Sequence, residues 1–433
     1  MFAPNWRKIC CDSSITPAMG LARRAASGEH KRVNEGEHSV YRIGDAEIRR
    51  IQRLIESGRM FRYGSGGECA KFEADFSAHV GVKYTRMSSS GTAALYTALV
   101  GLGIGPGDQV IVPAYTYVAV ALAVLAAGAI PVIADVDESL TLSAKDLERR
   151  LTKHTRAVIP VHMVGLPCDM AGIMKVARKH KLKVLEDACL AVGGGYRGKK
   201  LGSIGHAGAF SFNVFKNITC GEGGAFVTRS KAVYDRGSVA VDCCAVYWEK
   251  RPEQSHEELG FAGNNFRASE FQGAILNAQL SRLEPMLKKM RSQKKRLLAA
   301  GEKAGLRSIT NNSLDYECGS HVGFLFSDET TAREFSDGLK SHAVNNFMPM
   351  DMGPNVYTRW EPIMREQGAH HPALDPFKIP ANRKCKVKYS ADMCADSLDI
   401  LARTVLVGTH PDNKADRVRA MASAIRTVGE SIG

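Results

Sequence analysis

A single lysine between two strand-like runs is the residue of this chain best placed for covalent chemistry. It is Lys216, within Ala209 to Thr228, AFSFNVFKNITCGEGGAFVT, where a strand is followed by the lysine, a glycine-rich turn carrying Glu222, and a second strand. A lysine held in such a place is partly desolvated, which lowers its pKa and lets its amine form a Schiff base with an aldehyde. Ser211, just upstream, is able to donate to a phosphate. A second group is Asp187, in Val184 to Ala188, VLEDA. A hydrophobic strand ends there in two acids, which sets Asp187 at the carboxyl edge of a sheet, where α/β proteins bind ligands. A buried acid at that edge calls for a cationic partner, although an acid that merely caps the next element reads the same way in sequence. The third group is Ser88 to Leu95, SSSGTAAL, which puts Ser90, Gly91 and Thr92 at the start of a helical run. Free amides and the helix dipole attract phosphate there. Taken alone, this segment is equally an ordinary N-cap.

These groups need a sheet to carry them. From about Val40 to Ala278, short β-branched runs alternate with longer helical stretches, the pattern of an α/β domain with a mostly parallel sheet. The expected strands are Gln109 to Val112, Ile130 to Val136, Ala157 to His162, Lys183 to Leu185, Ala209 to Phe212 and Ala225 to Thr228. They are apolar enough to be buried on both faces. The apolar run from Val118 to Ala134, broken by Gly128 and Pro131, reads as a buried helix followed by a buried strand rather than a membrane span. Gly193 to Gly198 matches G-x-G-x-x-G, but the glycine-rich, aperiodic sequence after it opens no helix, so we read a turn or hairpin and not a dinucleotide site. From Ser281 a basic helix (Lys288, Lys289, Arg291, Lys294, Lys295, Arg296) surrounds Met286, Leu287, Met290, Leu297 and Leu298, as in an amphipathic helix with a solvated face. A helix from Lys414 to Val428 closes the chain. The expected organisation is an extension over 1–38, a large domain over 39–280 and a smaller α+β domain over 281–433.

Composition bounds the function classes. The 433 residues are 44% hydrophobic, 24% charged and 7% aromatic, which excludes disordered and fibrous chains and fits two or three domains. Among the 11 cysteines none is spaced C-x-x-C, so we expect free thiols in a reducing compartment and no metal site. No short apolar segment with a cleavage site opens the chain, which points to the cytoplasm, and no membrane partner is expected. The first 38 residues are basic and serine-containing, and read as a transit-like tail, a flexible extension or a start upstream of Met19. The net charge of +13 admits nucleic acid or an anionic small molecule, but the basic residues are not interleaved with aromatics, so nucleic acid is not expected.

Taken together, SGTAAL, GIGPGDQVIVPAYTYVA, PVHMVGLPCDM, EDA, SFNVFKN, CGEGGAFVT and GNNFRASEFQGAIL resemble the DegT/StrS sugar aminotransferases, fold-type I enzymes dependent on pyridoxal 5'-phosphate. The resemblance runs from about Gly44 to Gln279, and more weakly to the end. It implies that Lys216 holds the cofactor aldehyde and then shuttles a proton, and that Asp187 pairs with the pyridinium nitrogen. It places Tyr117 against the cofactor ring, with core packing as the alternative role. Thr92, Ala93 and Ser211 would hold the phosphate, with Asn265 reaching in from a neighbouring subunit. Two positions depart from the family's pattern, Leu190 and Val192, where polar residues are usual. Family dehydratases carry histidine in place of the lysine, so Lys216 favours amino transfer.

The resemblance therefore implies a homodimeric aminotransferase working in two half-reactions, with glutamate as the expected donor and a sugar or sugar-acid carbonyl as acceptor. Nucleotide-linked ketosugars, keto-inositols and free sugar acids all remain open. The stretch NVYTRWEPIMREQGAHHPALDPF, with YSADMCADSLDILARTVLVGTHPD, looks like the branch that includes 8-amino-3,8-dideoxy-manno-octulosonate aminotransferase of lipopolysaccharide synthesis, with Arg359, His371 and Lys378 as candidate contacts. A non-catalytic scaffold or sensor of the same fold is the alternative from another class, and the presence of Lys216 and Asp187 argues against it.

Overall fold

The computed structural model describes residues 43–63, 67–243 and 260–432. The 1–38 extension lies outside them. Helices α1 (Asp45–Ser57) and α2 (Glu68–Val80) lead into β1 (Tyr84–Ser88) and α3 (Gly91–Gly101). Then follow β2 (Gln109–Pro113), α4 (Ala119–Ala126), β3 (Ile130–Ala134), α5 (Ala144–Arg149), β4 (Thr155–Val158), α6 (Met170–Lys179) and β5 (Lys183–Asp187). A small hairpin, β6 (Gly195–Tyr196) with β7 (Lys199–Lys200), precedes β8 (Ala207–Ser211), β9 (Gly224–Thr228) and α7 (Lys231–Val241). The nominal dinucleotide fingerprint is thus a hairpin, as its lack of helical period implied.

These strands build a seven-stranded sheet in the order β1-β9-β8-β5-β4-β2-β3. The pairs from β3 across to β8 are parallel, while β9 runs antiparallel to both β8 and β1. Strands β2, β3, β8 and β9 are buried at every position, as expected where helices cover both faces. The expected strands are recovered with two differences. The strand beginning near Ala157 stops at Val158, because Pro160 has no amide for a ladder and only its carbonyl is used, by Asp187 N at 2.9 Å. Strand β1 was not expected: Arg86 interrupts its apolar pattern, and the strand forms because each residue pairs with β9.

Helix α8 (Glu270–Lys303) continues from the large sheet to a second one, and the boundary expected at 280/281 falls inside it. Its early turns pack on α1 and α2 and its later turns on the C-terminal elements. These are β10 (His321–Leu325), α9 (Glu329–Ser341), β11 (Asn346–Phe347), α10 (Glu361–Met364), α11 (Ala395–Ala402), β12 (Thr404–Gly408) and α12 (Ala415–Ile432). An antiparallel sheet, β10-β12-β11, is covered by α8, α9 and α12 around Leu297, Phe324, Phe335, Val405 and Ile425. The basic face of α8 is solvated except at Lys294, which is buried and ion-paired with the equally buried Glu317.

Between β11 and α11 the chain returns to the large sheet. Tyr357 N donates to Ala114 O at 3.0 Å, Thr116 N to Asn355 O at 2.9 Å and Val118 N to Pro354 O at 3.1 Å. Tyr115, Tyr357 and Trp360 are fully buried at this junction. On the other side of the sheet's carboxyl edge, the start of α3 crosses β8 and β9 closely enough to exclude side chains. A Cβ on Gly224 would fall on the carbonyl of Ser90, and one on Gly91 would lie 2.7 Å from Ser211 Cβ. Gly224→Ala should therefore destabilise the fold by about 1–3 kcal/mol, read as a lower midpoint in urea unfolding.

Candidate active site

The residues singled out from sequence gather at the carboxyl edge of the large sheet because their strands end there. Strand β5 ends at Asp187, β8 at Ser211 and β1 just before Ser90, while β2 leads into the loop bearing Tyr117. Alternation along β5 divides its two terminal acids between opposite faces. Glu186 is fully buried and accepts from Gly202 N (2.9 Å), Ile204 N and Gly205 N (2.6 Å each) and His162 Nε2 (3.1 Å). Because His162 Nδ1 accepts from Cys168 N at 3.1 Å, the ring's proton sits on Nε2 and points at Glu186. Glu186 is thus a structural carboxylate, enclosed by donors.

Asp187 faces the other way. Its Oδ1 accepts from Cys189 N at 2.9 Å, so it does cap the following turn. That single backbone bond does not offset its burial, which raises the carboxyl above the usual carboxylate range against the opposing pull of Cys189 and Lys216. Such a group gains most from a cation placed against it. Lys216 sits in the crossover between β8 and β9, its own N–H donating to Asn213 O at 3.1 Å. Burial lowers its pKa below the ordinary lysine value, opposed by the nearby Cys189, Asp187 and Glu222. The structure therefore brings an amine and a carboxyl into one desolvated space, each biased toward its neutral form.

The start of α3 closes this space on one side. Ser90 Oγ caps the helix by accepting from Ala93 N at 3.1 Å, so the amide of Ala93 is already engaged. By helix geometry the amides of Gly91 and Thr92 have no acceptor within the helix, and the Thr92 side chain is exposed beside them. Ser211 lies against Gly91, which puts its hydroxyl beside those donors. The bond it accepts from Asn213 N is long, at 3.5 Å. Two amides and two hydroxyls at a helix N-terminus are a donor set that could hold a phosphate.

The remaining expected residues differ in placement. Tyr117 is 53% exposed at the sheet edge, which removes core packing as its role. Asn265 is also exposed, on a segment that bridges Asp242. Leu190 is half-buried against the large core, while Val192 is fully buried within the other core layer and offers the site only its backbone. Arg359 and His371 lie on the surface, His371 accepting from Ala373 N, and Lys378 pairs with the buried Asp375 at 2.9 Å. Two residues in the site were missed. Cys189 Sγ lies 3.1 Å from the space a Cβ on Gly91 would fill, and Asn217 anchors the lysine crossover. The position of Cys189 two residues after Asp187 is a signal that could have found it. Among the described residues no cluster of His, Cys, Asp and Glu could hold a metal, and no helix is long and apolar enough to cross a membrane.

Residues 42–347 match the DegT/DnrJ/EryC1/StrS aminotransferase family. The chain belongs to that family. It is 44% identical over 223 residues to a GDP-perosamine synthase of Caulobacter vibrioides, a match covering 50% of this chain and 57% of that protein. It is 38% identical over 296 residues to a dTDP-3-amino-3,4,6-trideoxy-alpha-D-glucose transaminase of Streptomyces venezuelae, covering 67% of this chain and 73% of that protein. Among solved structures, 3-amino-5-hydroxybenzoic acid synthase superposes with a TM-score of 0.74 at 26% identity, covering 92% of this chain and 99% of that one. The fold is that of the fold-type I aminotransferases, and the cofactor of this family member is pyridoxal 5'-phosphate. The donor set fits it: an amine of lowered pKa for the aldehyde, a buried carboxyl for the ring nitrogen, and free amides with hydroxyls for the phosphate.

Ser211→Ala should weaken cofactor binding about ten- to a hundredfold, the value of one hydrogen bond to a charged group, with little change in thermal midpoint. Absorbance titration with the cofactor, alongside a melting curve, checks both.

Proposed function

We propose that this aminotransferase moves an amino group from an amino acid, glutamate, to the ketone of a nucleotide-linked sugar, and that it works as a homodimer. The observation that carries the reading is Lys216, with its lowered pKa, held with Asp187 at the sheet's carboxyl edge in a chain whose relatives are named for GDP- and dTDP-linked amino sugars. Those names support the nucleotide-ketosugar alternative over an octulosonate acceptor in lipopolysaccharide synthesis, which rests on the 355–377 and 389–412 stretches. The exposed Phe215, next to Lys216, with exposed Asn265, supports a second copy against this edge.

When bound, pyridoxal phosphate supplies an aldehyde that accepts the substrate amine and a ring that takes up an electron pair. The chain's residues do the rest. Asp187, ionised by a cationic ring nitrogen, keeps that nitrogen protonated. Lys216 would hold the aldehyde and, as a free amine, would serve as the base for the proton on the donor's α-carbon, and its lowered pKa leaves more of it neutral for this task near pH 7. The α3 start and Ser211 would hold the phosphate, and Tyr117, exposed at the sheet edge, would pack against the ring.

Lys216→Ala should abolish turnover while leaving a folded dimer, measured by coupled transaminase assay and sedimentation. Asn265→Ala should weaken cofactor retention, and unchanged occupancy would refute a cross-subunit phosphate contact. The function itself is tested by the visible spectrum of the protein with pyridoxal phosphate. A yellow band that bleaches with glutamate, and returns with a GDP- or dTDP-linked ketosugar but not with a free keto sugar acid, supports the reading. A band that persists with every amino donor overturns it.

A further inference from the structure

Lys216, in a crossover, and Asp187, at the end of β5, must meet one small molecule, so something has to fix the distance between that crossover and the run that follows β5. The β8–β9 crossover carries Lys216 without any helix or strand of its own. Behind it, Asn217, Ile218, Gln279, Leu283, Met286 and Pro411 line a half-open cavity of about 230 Å³, with Ile218 the crossover residue there that is packed into the core. The crossover's tether is the side chain after Lys216. Asn217 Nδ2 donates to Val192 O at 3.0 Å and lies 3.5 Å from Cys318 Sγ.

Both partners are rigid. Val192 belongs to the tight run that begins at Asp187, in which Ala191 N donates to Ala188 O and Gly194 N to Ala191 O, both at 2.9 Å. Cys318 is fully buried, and its N–H donates to Gly165 O at 3.3 Å. The connector carrying it is fastened to α8 by the buried Lys294–Glu317 pair and by Arg291 Nε, which donates to Glu317 O at 2.6 Å. One side-chain amide thus links the lysine's crossover to the run that follows the aspartate and to the connector at once. This also accounts for Val192: its side chain fills the core, and its carbonyl is the part the site uses.

We propose that Asn217 is a positioning residue that sets where the Lys216 amine lies relative to Asp187. This rests on the aminotransferase reading for its effect on catalysis, but not for its effect on Lys216 itself. The test uses Asn217→Leu, which keeps the volume and removes the amide, and Asn217→Ser, a milder change that guards against failure to fold. In protein freed of pyridoxal phosphate, the pH dependence of Lys216 acetylation by acetic anhydride is followed by mass spectrometry. In either folded variant, Lys216 should titrate closer to an ordinary lysine than in the parent chain, as the crossover relaxes toward solvent. With cofactor restored, kcat for the glutamate half-reaction should fall about ten- to a hundredfold with the glutamate KM within about twofold, the mark of a misplaced group rather than lost binding. An unchanged Lys216 titration in a folded variant, or a loss confined to thermal stability, overturns the proposal. If the parent chain itself shows no glutamate half-reaction, the aminotransferase reading fails instead, while the acetylation profiles still decide the role of Asn217.

Discussion

Keeping a carboxyl and an amine together out of water is the constraint around which this chain is built. Each charge costs several kcal/mol to bury without compensation, and neither Asp187 nor Lys216 has enough partners of its own kind to offset that cost. The fold tolerates them because the surrounding frame is rigid and otherwise satisfied. Glu186, one residue from Asp187, is enclosed by three amides and an imidazole, so the end of β5 is fixed by the acid that does no chemistry. The desolvation that destabilises the free groups also makes them responsive to a cofactor that brings an aldehyde and a ring nitrogen.

Close backbone approach is the second requirement. Amides at the start of α3 reach the same space as Ser211 because Gly91 and Gly224 let a helix N-terminus lie on two strands without an intervening Cβ. These donors, the amine and the carboxyl thus come from three crossovers of one sheet, and the parallel order of β4, β5 and β8 places their ends side by side.

The local chemistry of this arrangement was largely legible in the sequence. A strand ending in acids, a lysine between two strands and a capped helix start each carry their position in their own residue types, and the doubled acids of VLEDA resolve by simple alternation. What was not legible depends on partners distant in the chain. Strand β1 forms because β9 pairs with it, although Arg86 spoils its pattern. Lys294 is buried in a helix whose other cations are solvated, because Glu317 arrives from a separate connector. Asn217 reads as an ordinary polar residue until Val192 and Cys318 are seen beside it. The amide of Ala93, expected to face phosphate, is taken by Ser90, a choice between two acceptors that composition does not reveal.

The return of the chain from β11 to the large sheet bears on how the protein is made. The loop that carries Tyr117 is held by backbone bonds to Pro354, Asn355 and Tyr357, and Tyr115 meets Met352 across a separation of 237 residues. On a ribosome adding about 5–20 residues per second, the loop would wait roughly 10–50 s for its clamp to emerge. The large sheet can assemble in that interval, but one wall of its ligand site stays unfinished until synthesis is nearly over. A chain released short of that segment would own Lys216 and Asp187 and lack the frame that fixes the Tyr117 loop beside them.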